Sequence, residues 1–279
     1  MRFDNYLIVS DLDGTLFNRE QKVPEISLNA LKYFKENGGI FTFATGRDIM
    51  FIKRRFAFLI DLINAPAIMS NGAMLYDFSS EECLFSKTLK RNSAIEILKR
   101  VNESFPDAPL EISSTDGYIV VNPDDNFLKR FTNMRDIVTF SDKLIIPDGE
   151  IVRVNFIDRN IDRIQQVSKL VNELDIKDEF EKVFSDKFIF ELLPQNATKG
   201  NALNKLCRMF HDNKTVIAAG DWDNDFSLLK ASDIPVCPQN AACEIKKFCK
   251  FVLCDCDTGI INDIVQNIER GYFDIILGG

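Results

Sequence analysis

The sequence has little of what several common kinds of functional site require. Histidine occurs once, as His211, so a mechanism that uses a histidine base has almost no residue to supply it. Basic residues are fewer than acidic ones, 34 against 42, which gives a net charge of −8 and an isoelectric point near 4.9. With this charge and no dominant basic patch, the protein is not expected to bind nucleic acid.

Long apolar runs are absent as well, and cysteine is neither paired nor clustered enough to suggest disulfides or zinc. No stretch approaches the roughly 20 residues of a membrane-spanning helix. The first residues lead almost directly into an apolar segment, so no signal peptide is expected. The seven cysteines are scattered and odd in number, which favours reduced thiols in the cytoplasm. Cys254 and Cys256 have CxC spacing, but no second Cys/His group completes a zinc site.

The sequence does have an alternation of strand-like and helix-like segments toward both ends of the chain. The apolar, strand-like runs lie at 6–10, 40–44, 67–69 and 216–219. Helical patterns separate them, and the same rhythm continues to about residue 269. This alternation predicts an α/β fold with a doubly wound, mostly parallel sheet whose strands are joined by right-handed crossovers.

The middle of the chain has a different pattern, in which paired strands are separated by helices. A hairpin is predicted around 74–89, followed by helices at about 93–105, 124–135 and 161–174 and strands near 110–121, 151–157 and 187–193. Such a mixture predicts an α+β unit with its own antiparallel sheet. We therefore predict a core domain formed by 1–86 and 190–279, interrupted by an inserted domain at 87–189.

Four polar stretches follow predicted strands of the core. They are Asp11-Leu12-Asp13, Thr45-Gly46-Arg47, Ser70-Asn71-Gly72 and the run 220–225. Ligands of open parallel sheets bind beyond the carboxyl ends of the strands, so these residues are expected to line one site. Asp11, Asp13 and Asp221 would repel one another there unless a cation joined them. An all-oxygen set suits Mg²⁺ rather than Zn²⁺.

Each of these stretches also has an ordinary structural interpretation. Asp and Gly are common turn residues, and acidic side chains such as those of 221–225 are favoured near a helix N-terminus. Thr45 could cap the helix that follows it, although the same geometry can also bind an anion. Arg47 could hold an anion or pair with a nearby acid.

Lys199 is more informative because of its position. Thr198 is expected to cap the helix that Lys199 opens, which puts a lysine in the first turn. The helix dipole disfavours a cation there by roughly a few tenths of a kcal/mol. An exposed lysine tolerates that cost, whereas a lysine that must contact a phosphate would explain the position directly.

In this order and spacing, the motifs resemble those of the haloacid dehalogenase (HAD) superfamily, and within it the Cof-type sugar-phosphatase branch. The matching motifs are Asp11–Thr15 (DLDGT), Thr45–Arg47 (TGR), Ser70–Ala73 (SNGA), Lys199-Gly200 (KG) and 220–225 (GDWDND). The resemblance covers nearly the whole chain and implies a HAD-like Rossmannoid core with an inserted C2-type (C2B) cap for substrate selection. Asn196 stands where the family often has glycine, and asparagine can also adopt a left-handed conformation.

The resemblance also implies a role for each motif residue. Asp11 resembles the nucleophile that forms an aspartyl-phosphate, and Asp13 resembles the acid that protonates the leaving alcohol and then the base that activates water. The implied ligands of Mg²⁺ are the Asp11 and Asp221 carboxylates and the Asp13 backbone carbonyl. The implied phosphate contacts come from Leu12, Thr45, Gly46, Lys199 and Asn224. The residues expected to support the site are Arg47, Asn71 and Asp225.

The resemblance implies a phosphatase of small phosphorylated metabolites such as sugar phosphates, acting as a monomer or weak homodimer. Two other functions stay open at this point. A phosphomutase would form the same aspartyl-phosphate and pass its phosphoryl group to another sugar hydroxyl. A non-enzymatic phospho-receiver would also use a doubly wound domain with a phosphorylatable aspartate, but receivers are much shorter and lack the inserted domain.

Overall fold

The structure is a computed structural model that describes residues 2–132, 134–210 and 214–273. His211 lies outside the described residues. The contacts divide the chain into two compact units, the first formed by 1–85 with 198–279 and the second by 86–197. No helix in the described ranges is long and apolar enough to cross a membrane.

The elements alternate between strands and helices over the first and last parts of the chain. The strands are β1 (Tyr6–Ser10), β2 (Ile40–Phe43), β3 (Ala67–Met69), β4 (Met74–Asp77), β5 (Glu82–Ser86), β6 (Leu110–Ser114), β7 (Gly117–Val121), β8 (Val138–Ser141), β9 (Ile151–Ile157), β10 (Phe180–Asp186), β11 (Ile189–Pro194), β12 (Thr215–Ala219), β13 (Ile234–Pro238) and β14 (Phe251–Leu253). The helices are α1 (Glu25–Glu36), α2 (Ile49–Arg55), α3 (Arg91–Ser104), α4 (Asp125–Arg130), α5 (Ile161–Glu173), α6 (Lys199–Cys207), α7 (Phe226–Lys230), α8 (Cys243–Phe248) and α9 (Ile260–Glu269).

The first unit is built on a five-stranded parallel sheet with the order β14-β13-β12-β1-β2. Its central strands are almost wholly apolar and buried, as expected when helices cover both faces of a parallel sheet. Leu7 and Val9 of β1 pack in one cluster with Leu203 and Leu206 of α6. The predicted α/β fold class, with its parallel central sheet, is confirmed.

The third predicted strand pairs differently from the expectation. β3 pairs antiparallel with β4, and together with β5 they form a separate three-stranded sheet. β3 is still aligned with the end of β2, because Ala44 and Ile68 form a parallel bridge and the Thr45 N–H donates to the Ile68 carbonyl at 2.8 Å. The polar residues that follow β2 and β3 are therefore brought together although the two strands do not form a regular pair.

The second unit is an α+β unit with a six-stranded sheet in the order β10-β11-β9-β6-β7-β8. The strands pair antiparallel except for β7 and β8, which are parallel. One face of the sheet is apolar and packs against α3 and α5 through residues such as Ile112, Val154, Leu98 and Val167. The strands β8 and β10 were not predicted from the sequence. They lie at the edges of the sheet and carry polar side chains, which obscure the strand pattern.

The boundaries of the two units differ from the predicted ones, mainly at the second boundary, where the chain leaves the inserted unit. The contacts divide the chain at 85/86 and 197/198, whereas we expected 86/87 and 189/190. β11 pairs with both β10 and β9, so the whole strand belongs to the second unit. Helix α4 is also shorter than the predicted 124–135, because its regular hydrogen bonding stops at Arg130.

Candidate active site

The site begins where two neighbouring parallel strands end. Ser10 of β1 is in register with Ala219 of β12, and the Asp11 N–H donates to the Ala219 carbonyl at 2.9 Å. The next residues of both strands therefore emerge at the same edge of the sheet. This register brings Asp11 close to Asp221 although they are 210 positions apart in the chain.

Lys199 lies in the middle of this group and is completely buried, with 0% exposure. Its Nζ lies 2.6 Å from Asp11 Oδ1 and 2.6 Å from Asp225 Oδ1. Burial alone would lower the pKa of Lys199, but the charges and hydrogen bonds of Asp11 and Asp225 outweigh it and raise the pKa. The lysine is therefore held as a cation, and the interpretation of Lys199 as a tolerated exposed residue is wrong. Thr198 caps α6 as expected, since its Oγ1 accepts from the Asn201 N–H.

Asp225 holds the loop after β12 as well as the lysine. Its second oxygen, Oδ2, accepts from the Asp221 N–H at 2.9 Å and the Trp222 N–H at 3.2 Å. The Thr15 hydroxyl donates to Asp221 Oδ1 at 3.0 Å. Asp221 is thus fixed from its backbone and from its side chain, by groups on the loops after two adjacent strands.

The charges of the site do not balance among the described residues. One carboxylate oxygen from each of Asp11, Asp221 and Asp225 lies within 4.8 Å of the others. Burial, followed by the charge of Asp225, raises the pKa of Asp11 well above its usual value and that of Asp221 to about 7. Lys199 alone does not offset three carboxylates at this separation. An all-oxygen set short of positive charge fits a hard divalent cation such as Mg²⁺.

Thr45 does not act as the helix cap that was one of its two interpretations. The N-cap of α2 is Asp48, whose carboxylate accepts from the Phe51 N–H at 2.9 Å. Thr45 is buried, and its hydroxyl accepts from the Arg47 N–H at 3.1 Å. Thr45 lies just after the end of β2, and its part in binding an anion stays a prediction.

Asn71 and Asn224 join this turn to the rest of the site. Asn224 Nδ2 donates to Asn71 Oδ1 at 3.1 Å, and the Asn71 N–H donates to the Thr45 carbonyl at 2.9 Å. A Cβ added to Gly46 would lie 3.0 Å from Asn71 Nδ2, so a side chain there would crowd the amide. Leu12 is fully buried, so its part in a phosphate site would come from its backbone.

Asp13 and Arg47 form a separate pair at the same edge. Arg47 Nε lies 2.9 Å from Asp13 Oδ2, and Nη2 lies 2.6 Å from Asp13 Oδ1, a two-pronged ion pair. The sequence left two interpretations of Arg47, holding an anion or pairing with a nearby acid. The structure shows Arg47 paired with an acid, Asp13. The carboxylate that the resemblance assigns to proton transfer is thus held at the site by a guanidinium.

The glycine of the first motif is required by its surroundings. Gly14 has φ +78°, and a Cβ there would lie 2.5 Å from Asp221 Oδ2. Sequence reasoning missed Asn240, whose Nδ2 donates to the Gly14 carbonyl at 2.7 Å and whose Oδ1 accepts from the Cys256 N–H. Asn240 follows the end of β13, so the rule that ligand sites lie beyond strand ends could have found it.

Comparison with known proteins places the chain in one family. A family model described as haloacid dehalogenase-like hydrolase matches residues 8–264. The chain is 26% identical over 292 residues to 5-amino-6-(5-phospho-D-ribitylamino)uracil phosphatase YwtE of Bacillus subtilis, covering 95% of this chain and 99% of that protein. It superposes with a TM-score of 0.82 on SMU.1108c of Streptococcus mutans, at 17% identity over 95% of this chain and 98% of that one. The TM-score is 0.77 with the HAD subclass IIB sugar phosphatase BT4131, at 19% identity over 95% and 99% of the chains.

Proposed function

This chain belongs to the haloacid dehalogenase-like hydrolase family and is a phosphatase, and we propose that it hydrolyses small phosphorylated metabolites, sugar phosphates above all, through a covalent phospho-Asp11. The observation that carries the proposal is the completely buried Lys199 between Asp11 and Asp225. A lysine is rarely buried without a charge-based reason. Here it supplies positive charge where a phosphate dianion would meet a carboxylate.

In the first step, Asp11 attacks phosphorus and the bond from phosphorus to the leaving oxygen breaks. Phosphoryl transfer depends mostly on positioning and on neutralising charge. Lys199 binds Asp11 Oδ1, which leaves Oδ2 as the attacking oxygen and keeps the carboxylate in one orientation. The turn of Thr45 and Gly46 with Asn224 would hold the phosphoryl oxygens, and the Leu12 backbone would add to these contacts.

Mg²⁺ is the cofactor that we propose for the acidic group. When bound, it would neutralise negative charge on the carboxylates and on the phosphoryl group. The Asp11 and Asp221 carboxylates and the Asp13 backbone carbonyl would hold it. Thr15 and Asp225 keep Asp221 oriented toward that position through the hydrogen bonds described above.

Asp13 is the residue that we propose for proton transfer. It donates a proton to the leaving alcohol while the first bond breaks, and becomes a carboxylate. It then takes a proton from the water that attacks phospho-Asp11, which restores the Asp11 carboxylate and releases inorganic phosphate. Dividing one displacement into two easier ones is the usual gain of covalent catalysis.

The substrate class rests on the relatives and on the proposed role of the second unit. YwtE is named for a phosphate ester on a ribityl chain, and BT4131 is described as a sugar phosphatase. These names support a hydroxyl-rich leaving group for this chain. We propose that the inserted unit, predicted at 87–189 and compact over 86–197, selects that leaving group.

The nucleophile is tested with Asp11→Asn and p-nitrophenyl phosphate. We expect turnover to fall by at least about 10⁴-fold, because the amide is a poor nucleophile and carries no charge for the cation. Asp61→Asn, a change of the same kind at an exposed aspartate whose backbone carbonyl accepts from Lys35 Nζ, is the control and should keep full activity. Wild-type turnover in Asp11→Asn would reject the proposal. Release of free phosphate, measured directly, separates hydrolysis from a phosphomutase that only isomerises sugar phosphates.

We further propose that the protein acts in the cytoplasm as a monomer or weak homodimer. All seven cysteines are free thiols in the structure, which supports a reducing compartment. Cell fractionation and size-exclusion chromatography over a range of concentrations would test the two statements separately.

A further inference from the structure

The pair formed by Arg47 and Asp13 has a geometry that a simple surface ion pair does not have. Arg47 Nε binds one carboxylate oxygen of Asp13 at 2.9 Å, and Arg47 Nη2 binds the other at 2.6 Å. Two parallel hydrogen bonds fix the plane of the carboxylate as well as its distance. Lysine could supply the charge but not this geometry, because an ammonium group is a point donor.

The two partners are held unequally. The Arg47 side chain is 14% exposed, whereas that of Asp13 is 50% exposed. The Arg47 guanidinium carbon lies 4.4 Å from the ring centroid of Phe56 and 5.0 Å from that of Phe51, and both rings are buried. Arg47 is therefore the fixed partner, held by two aromatic rings, and Asp13 is the side chain that it orients.

The position of Asp13 makes this orientation consequential. Proton transfer is efficient only from a group held within hydrogen-bond reach of the reacting atom, and small misplacements of catalytic groups are costly. A half-exposed aspartate in a loop has free rotamers unless something fixes them. Among the described residues, Arg47 is the partner whose contacts with Asp13 determine which way the carboxylate points.

We infer that Arg47 is a positioning residue that orients Asp13 for its two proton transfers. The inference rests on the proposed function, in which Asp13 gives a proton to the leaving oxygen and later takes one from water. Arg47 binds the carboxylate that forms as the first proton departs, and holds it in place until the water proton arrives. The arginine itself neither gains nor loses a proton and forms no bond to phosphorus.

The test uses two aryl phosphate esters whose leaving groups differ mainly in how much they benefit from being protonated by an acid. p-Nitrophenolate leaves without a proton, whereas phenolate from phenyl phosphate is a poorer leaving group and benefits from protonation. Arg47→Met should lower kcat/KM for phenyl phosphate by about tenfold or more, because a misplaced acid loses part of the rate gain that acid catalysis supplies. The loss of kcat/KM for p-nitrophenyl phosphate should be less than about threefold. The ratio kcat/KM reports the steps up to the first phosphoryl transfer, and p-nitrophenolate leaves in that transfer without a proton.

Three further variants make the result specific to orientation. Arg47→Lys keeps the charge but loses the two-pronged geometry, so it should show the same selective loss. In an Asp13→Asn background, Arg47→Met should cause no further selective loss, because the residue on which it acts is gone. Arg55→Met is the matched control, since Arg55 is an exposed residue of α2 whose guanidinium also lies over the Phe51 ring, at 5.5 Å.

The possible outcomes separate the inference from the function on which it rests. Equal losses with both esters would mean that Arg47 binds phosphate or supports the fold, and would overturn the inference. Full activity of Arg47→Lys on phenyl phosphate would also overturn it, because charge alone would then suffice. If Arg47→Met does not fold, judged by thermal unfolding, Arg47→Lys carries the test. Wild-type protein that releases no phosphate from either ester contradicts the proposed function instead.

Discussion

Each of the two units contains a buried polar network, and the difference between them shows what marks a site. In the first unit, Lys199 lies between two carboxylates with a third close by. In the second, Glu111 Oε1 accepts from Arg153 Nη2 and Asn155 Nδ2, both at 3.2 Å. Both networks bury charge, which is costly unless the charge is paired.

The networks differ in position. Glu111, Arg153 and Asn155 lie within strands β6 and β9, where Glu111 is in register with Asn155 and Ser113 with Arg153. The network of the first unit lies beyond strand ends and has an excess of carboxylates, and burial and neighbouring charges raise the pKa of Asp11 and of Asp221. Position therefore separates the two networks: charge at strand ends indicates a place for a further cation and an anionic substrate, whereas charge within paired strands does not.

The largest effect should come from Lys199→Met, which removes the buried cation. Leaving buried carboxylates without their partner costs about 3–5 kcal/mol, and turnover of p-nitrophenyl phosphate should be abolished. Chemical denaturation gives the loss of unfolding free energy, and steady-state kinetics on the folded fraction gives the activity. A stable variant with wild-type turnover would remove Lys199 from the site.

Arg153→Met should lower stability by a similar amount, about 3 kcal/mol, because Glu111 would keep its burial and lose a charged partner. Unlike Lys199→Met, it should leave kcat for p-nitrophenyl phosphate within about twofold, since we assign this network no part in the chemistry. Replacing both partners, as Glu111→Gln with Arg153→Met, should recover part of the lost stability. A selective loss of kcat in folded Arg153→Met would contradict the contrast between the two networks.

A smaller effect is expected when magnesium is added to the metal-free protein. A ligand that binds only the folded state at 100 times its Kd stabilises it by about 2.7 kcal/mol. Thermal unfolding with and without Mg²⁺ should show this gain for the wild type and Arg153→Met, and much less of it for Asp221→Asn. An equal gain in Asp221→Asn would show that Mg²⁺ binds elsewhere. Addition of EDTA should abolish turnover of the wild type.

Much of the site could be predicted from the sequence because its signals are local. Asp11 and Asp221 each come directly after a short apolar run, and both runs formed adjacent parallel strands in register. The turn after β2 was also predicted, and Thr45 and Asn71 do meet there. Strand ends and turn glycines depend mainly on the residues around them, so a linear pattern is enough to find them.

Other features were not predictable, because they depend on partners far away in the chain. Whether Thr45 or Asp48 capped α2, and whether Arg47 met an acid or an anion, depended on how the turn was oriented. The antiparallel pairing of β3, the edge strands β8 and β10, and the allocation of β11 to the second unit depended on which strands lay beside them.

The sequence by itself determined the alternating strands and helices of the parallel core and the identity of the polar residues at its strand ends. Only the tertiary structure decided that Lys199 is fully buried between Asp11 and Asp225, and that Asp13 pairs with Arg47. Burial and pairing depend on the summed effect of all neighbours in space, and no spacing along the chain encodes the direction in which a side chain finds its partner.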